Sequence, residues 1–162
     1  MEFTEIQRFR QWWVWLLMAG ILGLICWAFI QQIILGVPWG NHPAKDYFLY
    51  IIIVFVALII ALLLTCRLET RIDKEGIHYR FLPFYFRMRS IGWDKIESVS
   101  LREHRPIGEY GGWGIRGTGR NRALTISGRS GFQIRLKDGR ELFIGTQKPA
   151  ELEDALQKLG KL

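Results

Sequence analysis

The side chains best suited to chemistry in this chain crowd into residues 105–122. Arg105, Arg116, Arg120 and Arg122 stand there with Tyr110 and Trp113 among six glycines. Glycines let backbone amides approach an anion closely, guanidinium groups supply charge and paired donors, and the aromatic rings supply flat contact. The same residues also read as plain structure. Trp113-Gly-Ile-Arg116 fits a core strand with glycine bulges, its tryptophan buried under a C-terminal helix. Both readings stand at this point. The spacing Gly112-x-Gly114-x-x-Gly117 matches a dinucleotide loop by letters alone, because no βαβ unit surrounds it and no helix opens at Gly117.

Other reactive residues are scattered. His42, His78 and His104 share no metal-ligand spacing, and no nucleophile elbow or carboxylate pair appears. Asp94 and Glu97 flank a turn, where they read as capping and solvated groups. Cys26 and Cys66 lie in or beside apolar runs and imply no disulfide framework. The chain is therefore read as a non-enzyme with no metal and no cofactor. A basic, aromatic loop would suit nucleic acid, but the chain carries no known reader motif and a bilayer tether argues against that partner.

That tether comes from two apolar runs. Residues 13–35 and 47–66 contain no charged side chain, and about 20 such residues cross a hydrocarbon core of about 30 Å. The first run is too long and too rich in tryptophan for a secretory signal. Trp12, Trp13 and Trp15 at its start, Trp39 and Tyr47 at the far side, and Arg67 at the exit are the expected interface anchors. Residues 36–46, with Pro38 and Pro43, form a short connection, so the runs make a hairpin. Ala19-xxx-Gly23 and Ala57-xxx-Ala61 offer small faces for close approach. Arg8, Arg10, Arg67 and Arg71 flank one side against Lys45 on the other, which places both termini in the cytoplasm of a multi-pass cell-membrane protein.

Charge divides the chain at the same place. Residues 1–66 balance three basic against three acidic groups, so the net charge of +7 belongs to residues 67–162. A basic unit at a bilayer suits anionic headgroups or an acidic partner, or it serves only to fix orientation. From Leu68 the hydrophobic period becomes two. Ile77, Tyr79 and Phe81 alternate with His78 and Arg80, and Phe132, Ile134 and Leu136 alternate with Gln133, Arg135 and Lys137. Phe84, Phe86 and Met88 alternate in the same way after Pro83. Lys137-Asp-Gly-Arg140 is a strong hairpin signal. Pro149, followed by the stripe Leu152, Ala155, Leu156 and Leu159, makes one closing amphipathic helix. The expected fold is α+β, with about seven antiparallel strands in a barrel or sandwich capped by that helix. The expected domains are a tail and hairpin over 1–66 and a soluble unit over 67–162.

Gly76-Ile-His-Tyr-Arg-Phe-Leu-Pro83, Ile91-Gly-Trp-Asp-Lys-Ile-Glu97 and Leu136-Lys-Asp-Gly-Arg-Glu-Leu-Phe-Ile-Gly-Thr146, followed by the helix, resemble bacterial pleckstrin-homology-like domains that sit behind a pair of transmembrane helices. The resemblance covers roughly residues 67–160 plus the hairpin arrangement. It implies a non-enzymatic module, often oligomeric or scaffolding, with no uniform ligand. Phosphoinositide binding does not carry over, because the relevant hairpin turn here is Asp73-Lys-Glu-Gly76, with two acids and one lysine. The expected function is a membrane-anchored interaction module, self-associating or bound to another protein. The alternative is a sensor of anionic headgroups acting through Arg105, Tyr110, Trp113, Arg116, Arg120 and Arg122.

Overall fold

A computed structural model describes residues 3–41, 43, 45–103, 105, 108–109 and 111–162. The chain forms two compact units, Arg10–Thr65 and a second made of Met1–Phe9 with Cys66–Leu162.

The first unit contains α1 (Trp12–Phe29), which runs on as a π turn over Ile30–Ile34, and α2 (Asp46–Thr65). Both are long and apolar enough to cross a membrane. The small faces do not form their contact, since Ala19, Gly23, Ala57 and Ala61 are exposed. The less exposed positions recur at alternate steps of four and three instead: Val14, Met18, Ile21, Ile25 and Ala28 on α1, and Leu49, Ile53, Val56, Ile60 and Leu63 on α2. That is the spacing of a knobs-into-holes seam, which larger aliphatic side chains fill better than glycine and alanine. Near the connection Gln32 Nε2 donates to Asp46 Oδ1 at 2.7 Å, and the Phe29 and Tyr50 rings meet edge to face.

Among the described residues the second unit holds two sheets and a closing helix. Sheet one has the order β1 (Phe3–Arg8), β2 (Arg67–Ile72), β3 (Gly76–Leu82), β4 (Arg89–Gly92). Sheet two has the order β5 (Ile96–Glu103), β8 (Ser130–Leu136), β9 (Glu141–Gly145), β7 (Asn121–Thr125), β6 (Gly114–Thr118). The helix α3 spans Pro149–Lys158. Among the described residues, positions 67–162 form eight strands where about seven were expected, β1 adds a ninth from outside that range, and neither sheet closes into a barrel. The pairing is not wholly antiparallel either. Two chain reversals, at Gly128 and Gly139, separate β7 from β9, so the pair runs parallel.

One apolar core joins both sheets and α3. Leu68, Ile72, Ile77 and Phe81 enter from sheet one, Leu124, Phe132, Ile134 and Ile144 from sheet two, and Leu152 and Leu156 from α3.

The N-terminal segment corrects the tail expectation. It is strand β1, antiparallel to β2, with Phe3, Glu5 and Gln7 buried and Thr4, Ile6 and Arg8 exposed. Its buried polar side chains reach the segment before α3. The Glu5 carboxylate accepts from Thr146 Oγ1 at 2.6 Å and from the Gln147 amide at 2.8 Å, and Gln7 Nε2 donates to the Gly145 carbonyl at 2.6 Å. The folded unit is thus built from both flanks of the helix pair.

Candidate anion-binding cleft

Three separate stretches, joined by Tyr79 from β3, converge on a cleft of about 640 Å³, within the range of small-molecule sites. The edge strand β4 brings Arg89 and Ser90, and the turn after it brings Asp94 and Lys95. The β6–β7 turn brings Arg120, the start of β7 brings Arg122, and the β8–β9 hairpin brings Lys137, Asp138, Arg140 and Glu141. Main-chain bonds fix these walls to each other. The Lys137 amide donates to the Lys95 carbonyl at 3.1 Å, and the Glu141 amide donates to the Arg120 carbonyl at 2.6 Å.

Six cationic side chains face three carboxylates in this lining. Two of those carboxylates are already engaged, Asp138 by Arg140 at 2.7 Å and Glu141 by Arg135 at 2.9 Å. The hydrogen bond from Arg140 holds the Asp138 carboxyl below its usual range, so it stays ionised and paired. Tyr79 is a buried member of the lining. Burial pushes its hydroxyl above the usual pKa, against the pull of the hydrogen-bonded Arg89 and of Arg122. The site therefore presents a neutral phenol amid guanidinium and ammonium groups, a set of donors suited to phosphoryl or carboxylate oxygens.

The glycine-rich stretch does not act as one loop. Arg120 and Arg122 enter the cleft. Arg116 is exposed and turns back to donate from Nε to the Trp113 carbonyl at 3.1 Å. Trp113 is half-buried, with Nε1 donating to the Gly128 carbonyl at 3.3 Å, and it lies outside the core cluster rather than under the closing helix. Arg105 is exposed, and its amide donates to Glu109 Oε1 at 3.3 Å. Tyr110 lies outside the described residues. Gly117 serves the β6–β7 hairpin: its φ is +79°, and an added Cβ would meet the Asn121 carbonyl.

Among the anchor residues, Trp12, Trp13 and Trp15 begin α1, Trp39 stands in the connection, and Tyr47 opens α2 with its ring stacked on Phe48. Arg67 starts β2 and pairs with Glu69 at 3.0 Å.

A second polar cluster borders the cleft. Ser90 Oγ lies 2.7 Å from His78 Nδ1, and His78 Nε2 lies 3.1 Å from Asp73 Oδ1. Asp73, Glu75 and His78 also approach each other closely enough to suggest metal ligation. Asp73, however, is the clamp of the β2–β3 hairpin. It accepts from the Glu75 and Gly76 amides at 3.0 and 3.3 Å and from Arg71 Nε at 3.1 Å. Burial alone would raise its pKa, but His78, the Glu75 amide and Arg71 outweigh burial and hold it at about 2. An arginine on the same carboxylate competes with any cation, which argues against a metal at this cluster.

Comparisons of the chain with protein-family models, curated proteins and solved structures returned no match.

Proposed function

We propose that this chain is a membrane-anchored, non-catalytic binding module whose pleckstrin-homology-like unit takes an anionic ligand in the cleft between β4, the β6–β7 turn and the β8–β9 hairpin. The observation that carries the reading is the convergence of Arg89, Lys95, Arg120, Arg122, Lys137 and Arg140 around Tyr79. Like charges held together by the fold repel one another, and a bound anion relieves that repulsion.

Several features support the anchor. Two helices of adequate length and apolarity lie side by side in one unit. Because β1 precedes α1 and β2 follows α2 in a single sheet, the chain leaves the folded unit and returns to it. A membrane-crossing pair must then have both outer ends on one side, as a hairpin does. The excess of arginine at those ends favours the cytoplasmic side. The closing helix, with Leu152 and Leu156 buried against the strands, supports the pleckstrin-homology-like reading.

Phosphoryl oxygen is the chemistry such a cleft recognises, whether on a soluble compound or a lipid headgroup. Calorimetry of pyrophosphate with the full chain in zwitterionic nanodiscs tests the soluble source. Hydrogen exchange at the cleft in nanodiscs with and without anionic lipid tests the headgroup source. Binding or protection in either arm supports the proposal, and silence in both refutes it.

The Ser90–His78–Asp73 chain favours a second reading, since a hydroxyl next to an imidazole oriented by a carboxylate is the arrangement of an activated nucleophile. Labelling by a fluorophosphonate that is lost in Ser90→Ala would establish it. An unlabelled protein leaves the cluster as hairpin structure.

A further inference from the structure

Between β3 and β4 the chain leaves the sheet as Pro83-Phe-Tyr-Phe-Arg-Met88. Tyr85 turns inward: its amide donates to the Phe81 carbonyl at 2.7 Å, its ring joins the core, and the Arg89 guanidinium sits 3.9 Å above that ring. The residues around it point outward. Phe84, Phe86 and Met88 are 57%, 73% and 43% exposed. A loop held firmly at its centre while presenting two phenylalanines and a methionine is not the surface of a unit that faces only water.

Strand register places this loop. Leu82 pairs with Arg67, and Arg67 pairs with Arg8. The loop therefore starts at the end of sheet one where the chain runs from Arg8 into α1 and where α2 hands over to β2. The opposite end of the sheet, about 17 Å away for a six-residue strand, carries the Asp73–Gly76 hairpin. Arg87 lies within the loop and Arg8 at the same end of the sheet, and both are exposed. Apolar and aromatic side chains accompanied by arginine match the boundary between acyl chains and headgroups of a bilayer.

We propose that residues 83–88 are a membrane-seating loop: Phe84, Phe86 and Met88 enter the headgroup–acyl boundary of the bilayer that α1 and α2 span, and Arg87 meets headgroup phosphates. The inference rests on the reading of α1 and α2 as membrane spans. It adds a third attachment point to the anchor. Because the loop ends on Arg89, a residue of the cleft, seating also limits how the cleft can tilt relative to the lipid surface.

The test uses the full chain in nanodiscs with Cys26 and Cys66 replaced by alanine. Spin labels are attached singly to Phe86→Cys, Lys74→Cys and Leu58→Cys. Collision with oxygen, which concentrates in lipid, is compared with collision with a water-soluble nickel chelate. The expected result is oxygen-dominated relaxation at positions 58 and 86 and chelate-dominated relaxation at position 74. An immersed label at 58 with a label at 86 as open to the chelate as that at 74 overturns the seating loop and leaves the anchor standing. A label at 58 open to the chelate overturns both. A label at 86 shielded from both reagents, with dipolar broadening relieved by unlabelled protein, overturns the proposal in favour of a second copy of the chain covering the loop.

Discussion

Reversing the charge of Arg122 is the sharpest perturbation of the cleft. Arg122 is exposed on β7 and lines the cleft with five other cations. A unit charge about 4 Å from a ligand charge contributes about 1 kcal/mol in water. Arg122→Glu exchanges an attraction for a repulsion and should cost about 2 kcal/mol, which raises Kd roughly thirty-fold. Adding Arg120→Glu should weaken binding further, by less than a second full step because the remaining cations screen the new carboxylates. Neither side chain lies in the core, so the melting transition should stay within about 0.5 kcal/mol of wild type. The assay is calorimetric titration of pyrophosphate into the full chain in zwitterionic nanodiscs at low salt and again at about 1 M salt, where screening acts within about 3 Å. Arg116→Glu is the control from the same glycine-rich stretch, since its side chain turns back on Trp113. An affinity unchanged within twofold in the double variant, or an equal loss in the control, would refute the cleft.

Three further outcomes follow from the packing and the polar clamps. Leu156→Asp places a carboxylate at a fully buried position and should destabilise the unit by about 3–5 kcal/mol, visible as a large drop in Tm; an unchanged melt would mean that α3 does not cover the core. Glu5→Ala strips partners from Thr146 Oγ1 and the Gln147 amide and should cost about 1–3 kcal/mol, with β1 exchanging its amides faster than β2; equal exchange in the two strands would contradict the clamp. Asp73 has its pKa depressed to about 2, so its contribution is present above about pH 4 and is lost as pH falls toward 2. Denaturant melts should therefore lose up to about 2 kcal/mol across that window, and Asp73→Asn should remove that part of the pH dependence.

The helices were legible because nothing but long uncharged runs is needed to recognise them. Strands such as β3 and β8 were legible because one face meets the core and the other meets water, which imposes a period of two. Strand β1 was not. Its inward residues include Glu5 and Gln7, which look solvent-facing until residues 145–147, about 140 positions away, supply their partners. Nor could the helix contact be chosen, since small-residue faces and aliphatic seams coexist on the same two helices. In the glycine-rich stretch the four arginines look equivalent. Arg120 and Arg122 differ from Arg105 and Arg116 because the parallel β7–β9 pairing sets their turn beside the β8–β9 hairpin. Arg89 and Lys95 join them from the edge of the other sheet, a proximity that no local pattern encodes.

Hydrogen exchange read by mass spectrometry, with and without pyrophosphate on the full chain in zwitterionic nanodiscs, tests the central claim most directly. The cleft is assembled from residues 89–95, 119–122 and 136–142. Binding there should slow exchange in all three segments together and leave residues 111–116 unchanged. Protection confined to residues 111–116, or no protection in any of the three segments, would contradict the account.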